Sequence, residues 1–313
     1  MDPLTFEPLY MDRVWGGREL ERVYGRHLPD PALPYGESWE LVDREPEQSV
    51  VNAGPLAGTT LHELWTTRRA EIFGPGLDHA GPRFPLLVKI LDARDDLSVQ
   101  VHPPAAVAPA LGGEPKTEMW FIATANPGAK LYAGLQRGVT RRAFEQAIAD
   151  GTVANCVHAL EPRVGQSIFI PSGRLHAIGG GLLIHEIQQN SDTTYRVFDW
   201  NRPGLDGKPR ALHVAASLAS IDFTDCAPTM DLPRGNTLAE CEHFKVERLV
   251  LSPGETVAAA SAGRFAICTV VEGALVGADG RRFAPGTLVL LPRGARPLRA
   301  AEAAVVLRTS LPF

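Results

Sequence analysis

Gly165-Gln166-Ser167-Ile168-Phe169-Ile170-Pro171-Ser172-Gly173-Arg174-Leu175-His176 reads as a turn glycine, a short buried strand, and a Pro-x-Gly turn that delivers one imidazole. Its Gly, Pro, Gly and His stand at offsets 0, 6, 8 and 11. The same spacing returns in Gly286-Thr287-Leu288-Val289-Leu290-Leu291-Pro292-Arg293-Gly294-Ala295-Arg296-Pro297, with proline in place of the histidine. A turn–strand–turn unit used twice predicts two jelly-roll barrels, the first carrying chemistry and the second not. The expected fold is all-β dominated, with a few short helices.

Two upstream stretches bring further ligand-capable groups. In Ser98-Val99-Gln100-Val101-His102-Pro103, strand alternation sends Ser98, Gln100 and His102 to one face and Val99 and Val101 to the other. In Lys116-Thr117-Glu118-Met119-Trp120, the residues Lys116, Glu118 and Trp120 share a face opposite Thr117, Met119 and Phe121. Together with His176 these strands offer two imidazoles, a carboxylate and an amide oxygen, a set that suits a metal in the mouth of a barrel. The other histidines, such as His27, His62 and His79, read as structural or surface residues.

The chain has 313 residues, longer than one core comfortably serves, so two domains are expected. We place them at 1–228, catalytic and metal-binding, and 229–313, an accessory barrel without metal ligands. The boundary falls in Phe223 to Gly235, which holds Pro228 and Pro233 and has no clear periodicity. A net charge of −5 and the absence of a basic stripe argue against a nucleic-acid partner. No apolar run approaches membrane-spanning length and no signal pattern opens the chain, while its four cysteines, Cys156, Cys226, Cys241 and Cys268, form no CxxC pair. A cytoplasmic protein with reduced thiols is expected. Helices are predicted over Leu61 to about Phe73, opened by the capping box Thr60-Leu61-His62-Glu63, from Thr140 through Ile148, and near Ala211 to Ala219.

Several segments in the same order resemble the type I mannose-6-phosphate isomerases of the cupin superfamily, in their short bacterial form. They are Val14-Trp15-Gly16-Gly17, Gly36-Glu37-Ser38-Trp39, Leu97 to Pro103, Lys116 to Trp120, Ile170 to Ala177, Glu186 to Arg196, and Asp199-Trp200-Asn201-Arg202. The resemblance covers most of the first 202 residues. It implies one Zn²⁺ per chain, held by Gln100, His102, Glu118 and His176. The activity it implies is interconversion of mannose 6-phosphate and fructose 6-phosphate through a cis-enediolate.

The resemblance also points to Arg196 as an active-site residue and places Lys89, Ser98 and Arg202 around the substrate, with Trp15 and Glu37 lining the same pocket. Proton transfer between C1 and C2 needs a carrier, for which Lys116, a metal-bound water and Glu186 remain alternatives. Beside a metal, Lys116 is expected to have a depressed pKa. His185, on the opposite face from Glu186, is expected to pack outside the site, with an added ligand or base as the alternative. Expected partners are a sugar phosphate but neither nucleic acid nor membrane, and the chain is expected as a monomer or homodimer. The competing readings are a non-catalytic sugar-phosphate-binding cupin and a metal-dependent cupin oxygenase; the presence of both Lys116 and Arg196 tells against the first, and Gln100 against the second.

Overall fold

In the computed structural model, which describes residues 1–260 and 263–312, the duplicated motif folds the same way twice. Gly165 and Gly173 take φ of 82° and 93°, and Gly286 and Gly294 take 81° and 68°, a region that favours glycine. Between each pair of glycines lies a four-residue strand, Ser167–Ile170 and Leu288–Leu291, and after each pair a three-residue strand, His176–Ile178 and Leu298–Ala300.

The likeness extends through eight strands. One sheet contains, in spatial order, Leu86–Ala93, Leu182–Gln189, Glu118–Ala125 and Ser167–Ile170, extended on the outer side of Leu86–Ala93 by Tyr35–Leu41 and Leu9–Gly17. Its partner contains Val99–Val101, His176–Ile178, Leu131–Leu135 and Val157–Leu160, with Tyr195–Phe198 added beside Val99–Val101. Toward the C-terminus the same order recurs as Lys245–Leu251, Ala304–Ser310, Ala266–Glu272 and Leu288–Leu291, flanked by Thr237–Glu240. Opposite them come Thr256–Val257, Leu298–Ala300, Leu275–Val276 and Arg282–Phe283. Both copies therefore follow a jelly-roll strand order, and the fold is all-β with short helices, as the duplicated motif predicts.

Register fixes which residues correspond. Gln100 lies opposite His176 and Glu118 opposite Ile170. In the second copy Ala266 lies opposite Leu291, and continuing the pairing of Val257 with Leu298 sets Ala258 opposite Pro297. The positions of Gln100, His102, Glu118 and His176 are thus taken by Ala258, Ala260, Ala266 and Pro297, whose side chains have no donor atoms.

The chain divides into two compact units, residues 10–38 with 89–231, and residues 1–9 with 39–88 and 232–313. The division falls within strands Leu9–Gly17, Tyr35–Leu41 and Leu86–Ala93. In the first unit Leu91, Trp120, Ile122, Leu131, Ile168 and Ile184 form one buried core. Val99 and Val101 instead join Phe144 and Ala147 of helix Arg141–Ala149, so alternation holds across the strand that carries Gln100. That helix opens on Thr140, whose hydroxyl accepts from Ala143 N at 3.2 Å.

In the second unit Phe265 packs edge-on against Phe73 and Phe84, at ring-centroid separations of 5.2 and 5.7 Å. The capping box at Thr60 is formed, but the expected helix breaks at Arg68 (φ −131°, ψ 26°) into Leu61–Thr67 and Arg69–Ile72. The third helix starts later than expected, at Val214, because Arg196 holds the approach to it. Arg196 O accepts from His213 N at 2.7 Å and Arg196 Nη1 donates to Ala211 O at 3.0 Å, keeping 211–213 out of the helix. No helix among the described residues is long and apolar enough to cross a membrane.

Removing residues 232–313 is expected to leave little soluble protein, because Phe73 and Phe84 lose Phe265 and the unit loses all its C-terminal strands. Each aromatic pair alone contributes about 0.5–1.5 kcal/mol beyond its buried area. The soluble fraction and melting curve of residues 1–231 check this, and a soluble, cooperatively melting product would contradict it.

Candidate metal centre and active site

His102, Glu118 and His176 are buried together, with their ligand atoms all within 4.8 Å of one another. Glu118 opens its strand beside Ser167–Ile170, His176 opens the strand that pairs with Gln100, and His102 follows directly after Val101. His102 Nε2 lies 3.4 Å from Glu118 Oε2, and His176 Nε2 lies 3.6 Å from Glu118 Oε1.

Both imidazoles are oriented by their outer nitrogens. His102 Nδ1 meets Thr193 O at 2.8 Å and His176 Nδ1 meets Arg174 O at 2.9 Å. A ring that donates from Nδ1 presents the lone pair of Nε2, here toward the carboxylate. Arg174 is itself fixed by a two-pronged pair with Asp225, at 2.7 and 2.9 Å.

The donor set fits a cation. His102 Nε2 and Glu118 Oε1 are buried without a hydrogen-bond partner, which costs free energy unless something else binds them, while Glu118 Oε2 has the Lys116 ammonium 2.9 Å away. Burial holds His102 at about 3 and shifts His176 in the same direction, so both rings are neutral near pH 7. Burial opposes the charge on Glu118, yet Lys116 and His102 outweigh it and hold the carboxyl well below its usual range. Two neutral imidazoles and a carboxylate suit a borderline divalent ion. Gln100 stands beside them, its amide Nε2 3.4 Å from His176 Nε2 and its Oε1 accepting from Ser98 Oγ at 3.2 Å.

His176 of the triad, with Gln100, lines a cleft of about 630 Å³, on whose wall Trp15, Glu37, Lys89, Ser98, Lys116 and Arg196 also stand. Lys116 Nζ lies 2.9 Å from Glu118 Oε2. Burial works to lower the Lys116 ammonium, but Glu118 and then Glu186 override it and raise its pKa. Lys89 sits between two carboxylates, 3.5 Å from Glu37 and 3.6 Å from Glu186, and Arg13 Nε donates to Glu37 at 2.9 Å. Glu186, opposite Trp120 in the sheet, accepts from the indole Nε1 at 3.0 Å. Burial, and next the Glu118 charge, push its pKa up.

Arg202 is placed differently from the other expected substrate residues. It is absent from the cleft wall, and its guanidinium engages Asp199 at 3.2 Å and Asp95 at 3.3 Å. His185 is buried on the far face of its strand, where Nε2 meets Tyr24 Oη at 2.9 Å and burial lowers its pKa to about 4.

Arg13, Asp192 and Arg210 also reach the cleft and were not singled out from the sequence. For Arg13 a signal existed, since it lies two residues from Trp15 on the same strand. A Cβ on Gly36 would come within 2.7 Å of Arg13 Cβ and 2.5 Å of the Trp15 ring, so both residues pack over that glycine. Arg210 gave no such signal, because it sits in an irregular loop.

The family model for phosphomannose isomerase type I, catalytic domain, matches residues 4–117. Mannose-6-phosphate isomerase ManA of Bacillus subtilis (strain 168) is 35% identical over 310 residues, 94% of this chain and 94% of that protein. The mannose-6-phosphate isomerase of Streptococcus mutans serotype c is 38% identical over 218 residues, 69% of this chain and 67% of that protein. Among solved structures, mannose 6-phosphate isomerase from Bacillus subtilis superposes with a TM-score of 0.87 at 28% identity, covering 99% of this chain and all of that one. A zinc-bound mannose 6-phosphate isomerase, 16% identical with a TM-score of 0.79, shares the fold across 100% of both chains. With a relative this similar along nearly its whole length, and a donor triad set in a jelly-roll cleft, the chain belongs to the type I mannose-6-phosphate isomerase family.

Proposed function

We propose that this protein interconverts mannose 6-phosphate and fructose 6-phosphate, using one zinc ion held by His102, Glu118, His176 and Gln100. The observation that most supports this is the buried triad of His102, Glu118 and His176, with ligand atoms all within 4.8 Å of one another, reached through His176 and Gln100 from a cleft that Lys116, Glu186 and Arg196 also line. The ion would supply positive charge where a sugar oxygen becomes anionic.

The chain's own groups account for the rest of the reaction. Isomerisation removes a proton from C2 of the open-chain aldose, passes through an enediolate, and returns a proton to C1. Lys116 holds its proton at Nζ against Glu118, and Glu186 offers a carboxyl whose raised pKa suits exchange of a proton. Arg196 brings a permanent charge and a planar fork that can hold two oxygens at once. The Trp15 and Trp120 side chains line the cleft together with Leu91, Leu97 and Ile178.

Chemistry is assigned to the unit formed by 10–38 and 89–231, whose site residues all fall in the catalytic region 1–228. Residues 229–313 act as an accessory domain, since Ala258, Ala260, Ala266 and Pro297 stand where the donors would be. The protein is further read as cytoplasmic, a monomer or homodimer, and without a nucleic-acid or membrane partner. Incubation with mannose 6-phosphate, with fructose 6-phosphate detected by NMR, tests the reading. Production of fructose 6-phosphate is expected; saturable binding without turnover would overturn it in favour of a sugar-phosphate-binding protein.

A further inference from the structure

At the cleft wall two guanidiniums, those of Arg210 and Arg202, share one carboxylate, Asp199. Arg210 grips Asp199 through Nε and Nη2 at 2.6 and 2.5 Å, and Arg202 reaches the same carboxylate at 3.2 Å. Arg196 makes no ion pair among the described residues. Its Nη1 donates to a backbone carbonyl and its buried Nε has no partner. Burial, and next the charge of Arg210, hold Arg196 below the ordinary guanidinium range.

Two other carboxylates are near: Asp95, paired with Arg202, has a side chain 61% exposed, and Asp206, on the cleft wall, makes no ion pair among the described residues. Of the two arginines on Asp199, Arg210 lines the cleft and Arg202 does not. The fork on Asp199 uses one edge of the Arg210 guanidinium and leaves the Nη1 donors for a ligand. Fixed, clustered guanidinium groups with free donors at a cleft wall match an oxyanion of high charge.

We propose that Arg210, held in place by Asp199, binds the phosphate group of the substrate and selects phosphorylated over neutral sugars; this rests on the isomerase reading above. Arg202 acts from behind the wall by sharing Asp199. Arg196 stands beside the metal donors, its Cα paired with that of Gln100.

Inorganic phosphate is the direct probe, titrated calorimetrically into the full chain and into Arg210→Ala and Arg210→Lys variants. A charge-assisted hydrogen bond of this kind is worth about tenfold to a hundredfold in affinity. Phosphate affinity should fall by that factor in Arg210→Ala, KM for mannose 6-phosphate should rise comparably, and kcat should fall by a smaller factor. The preference in kcat/KM for mannose 6-phosphate over mannose should drop at least tenfold. Arg210→Lys keeps the charge but not the fork and should lose part of the affinity, which decides the matter should the alanine variant not fold.

Phosphate affinity and KM within twofold of the parent would overturn the proposal. So would a fall in kcat and melting temperature with phosphate affinity kept, since that describes a loop prop. Phosphate binding that depends on Arg210, in a protein that does not turn over mannose 6-phosphate, would leave this site standing and remove the isomerase reading instead.

Discussion

Replacing His176 with alanine should abolish metal binding and cut turnover of mannose 6-phosphate by about 10²–10⁴-fold, the range expected when several kcal/mol of transition-state charge stabilisation are lost. His176 has no interchangeable substitute nearby. Its Nδ1 is held by Arg174 O and its ring packs against His102 and Trp120 at centroid separations of 4.7 and 5.4 Å. The fold should survive, because the core around Ile122, Leu131 and Ile168 is apolar and the His176 ring meets it at Trp120 without being one of its members. Metal content by mass spectrometry, circular dichroism and turnover on one preparation check all three statements. Global unfolding on loss of metal would mean the ion is structural and not catalytic.

Arg196→Lys should lower kcat by about 10²–10³-fold while metal content stays intact. Lysine keeps the charge but cannot hold two oxygens of a developing enediolate in one plane. It also cannot reproduce both the bond from Nη1 to Ala211 O and the buried, unpartnered Nε. A role confined to anchoring the loop predicts near-normal kcat with a lower melting temperature. A role in phosphate anchoring predicts a raised KM with kcat little changed. An unchanged kcat removes Arg196 from the catalytic groups.

What could be read from residues alone was whatever strand parity and turn chemistry express locally. Alternation placed Gln100 away from Val99 and Val101, and the structure puts the valines in the core beneath helix Arg141–Ala149 while Gln100 faces the cleft. The Pro-x-Gly turns at Gly173 and Gly294 were visible because their positive φ restricts the choice of residue. Less was legible where partners are distant in sequence. Strands Leu9–Gly17 and Tyr35–Leu41 mix glycine, charge and aromatic residues without a clean period, and their burial comes from pairing within the sheet.

The same limit explains the charges. Lys116 is raised because Glu118 and Glu186 both approach it, and Glu186 comes from a strand some seventy residues on in the sequence. Arg202 and Arg210 are alike as residues, and only the path of the loop after Trp200, which itself takes φ of 56°, sets one behind the wall and the other on it. The eight-strand duplication was foreshadowed by four matched positions, yet the substitution of Gln100, His102 and Glu118 by alanines in the second copy emerges only once the registers align.

The central claim, that the set of His102, Glu118, His176 and Gln100 holds an ion the isomerisation requires, is tested most directly by metering zinc and turnover in one sample. The protein is stripped with a chelator, assayed with mannose 6-phosphate, and then titrated with Zn²⁺ while bound metal and rate are read together. The account predicts negligible turnover in the stripped protein and a rate that rises in proportion to bound zinc up to one ion per chain. Full turnover in rigorously metal-free protein would contradict it.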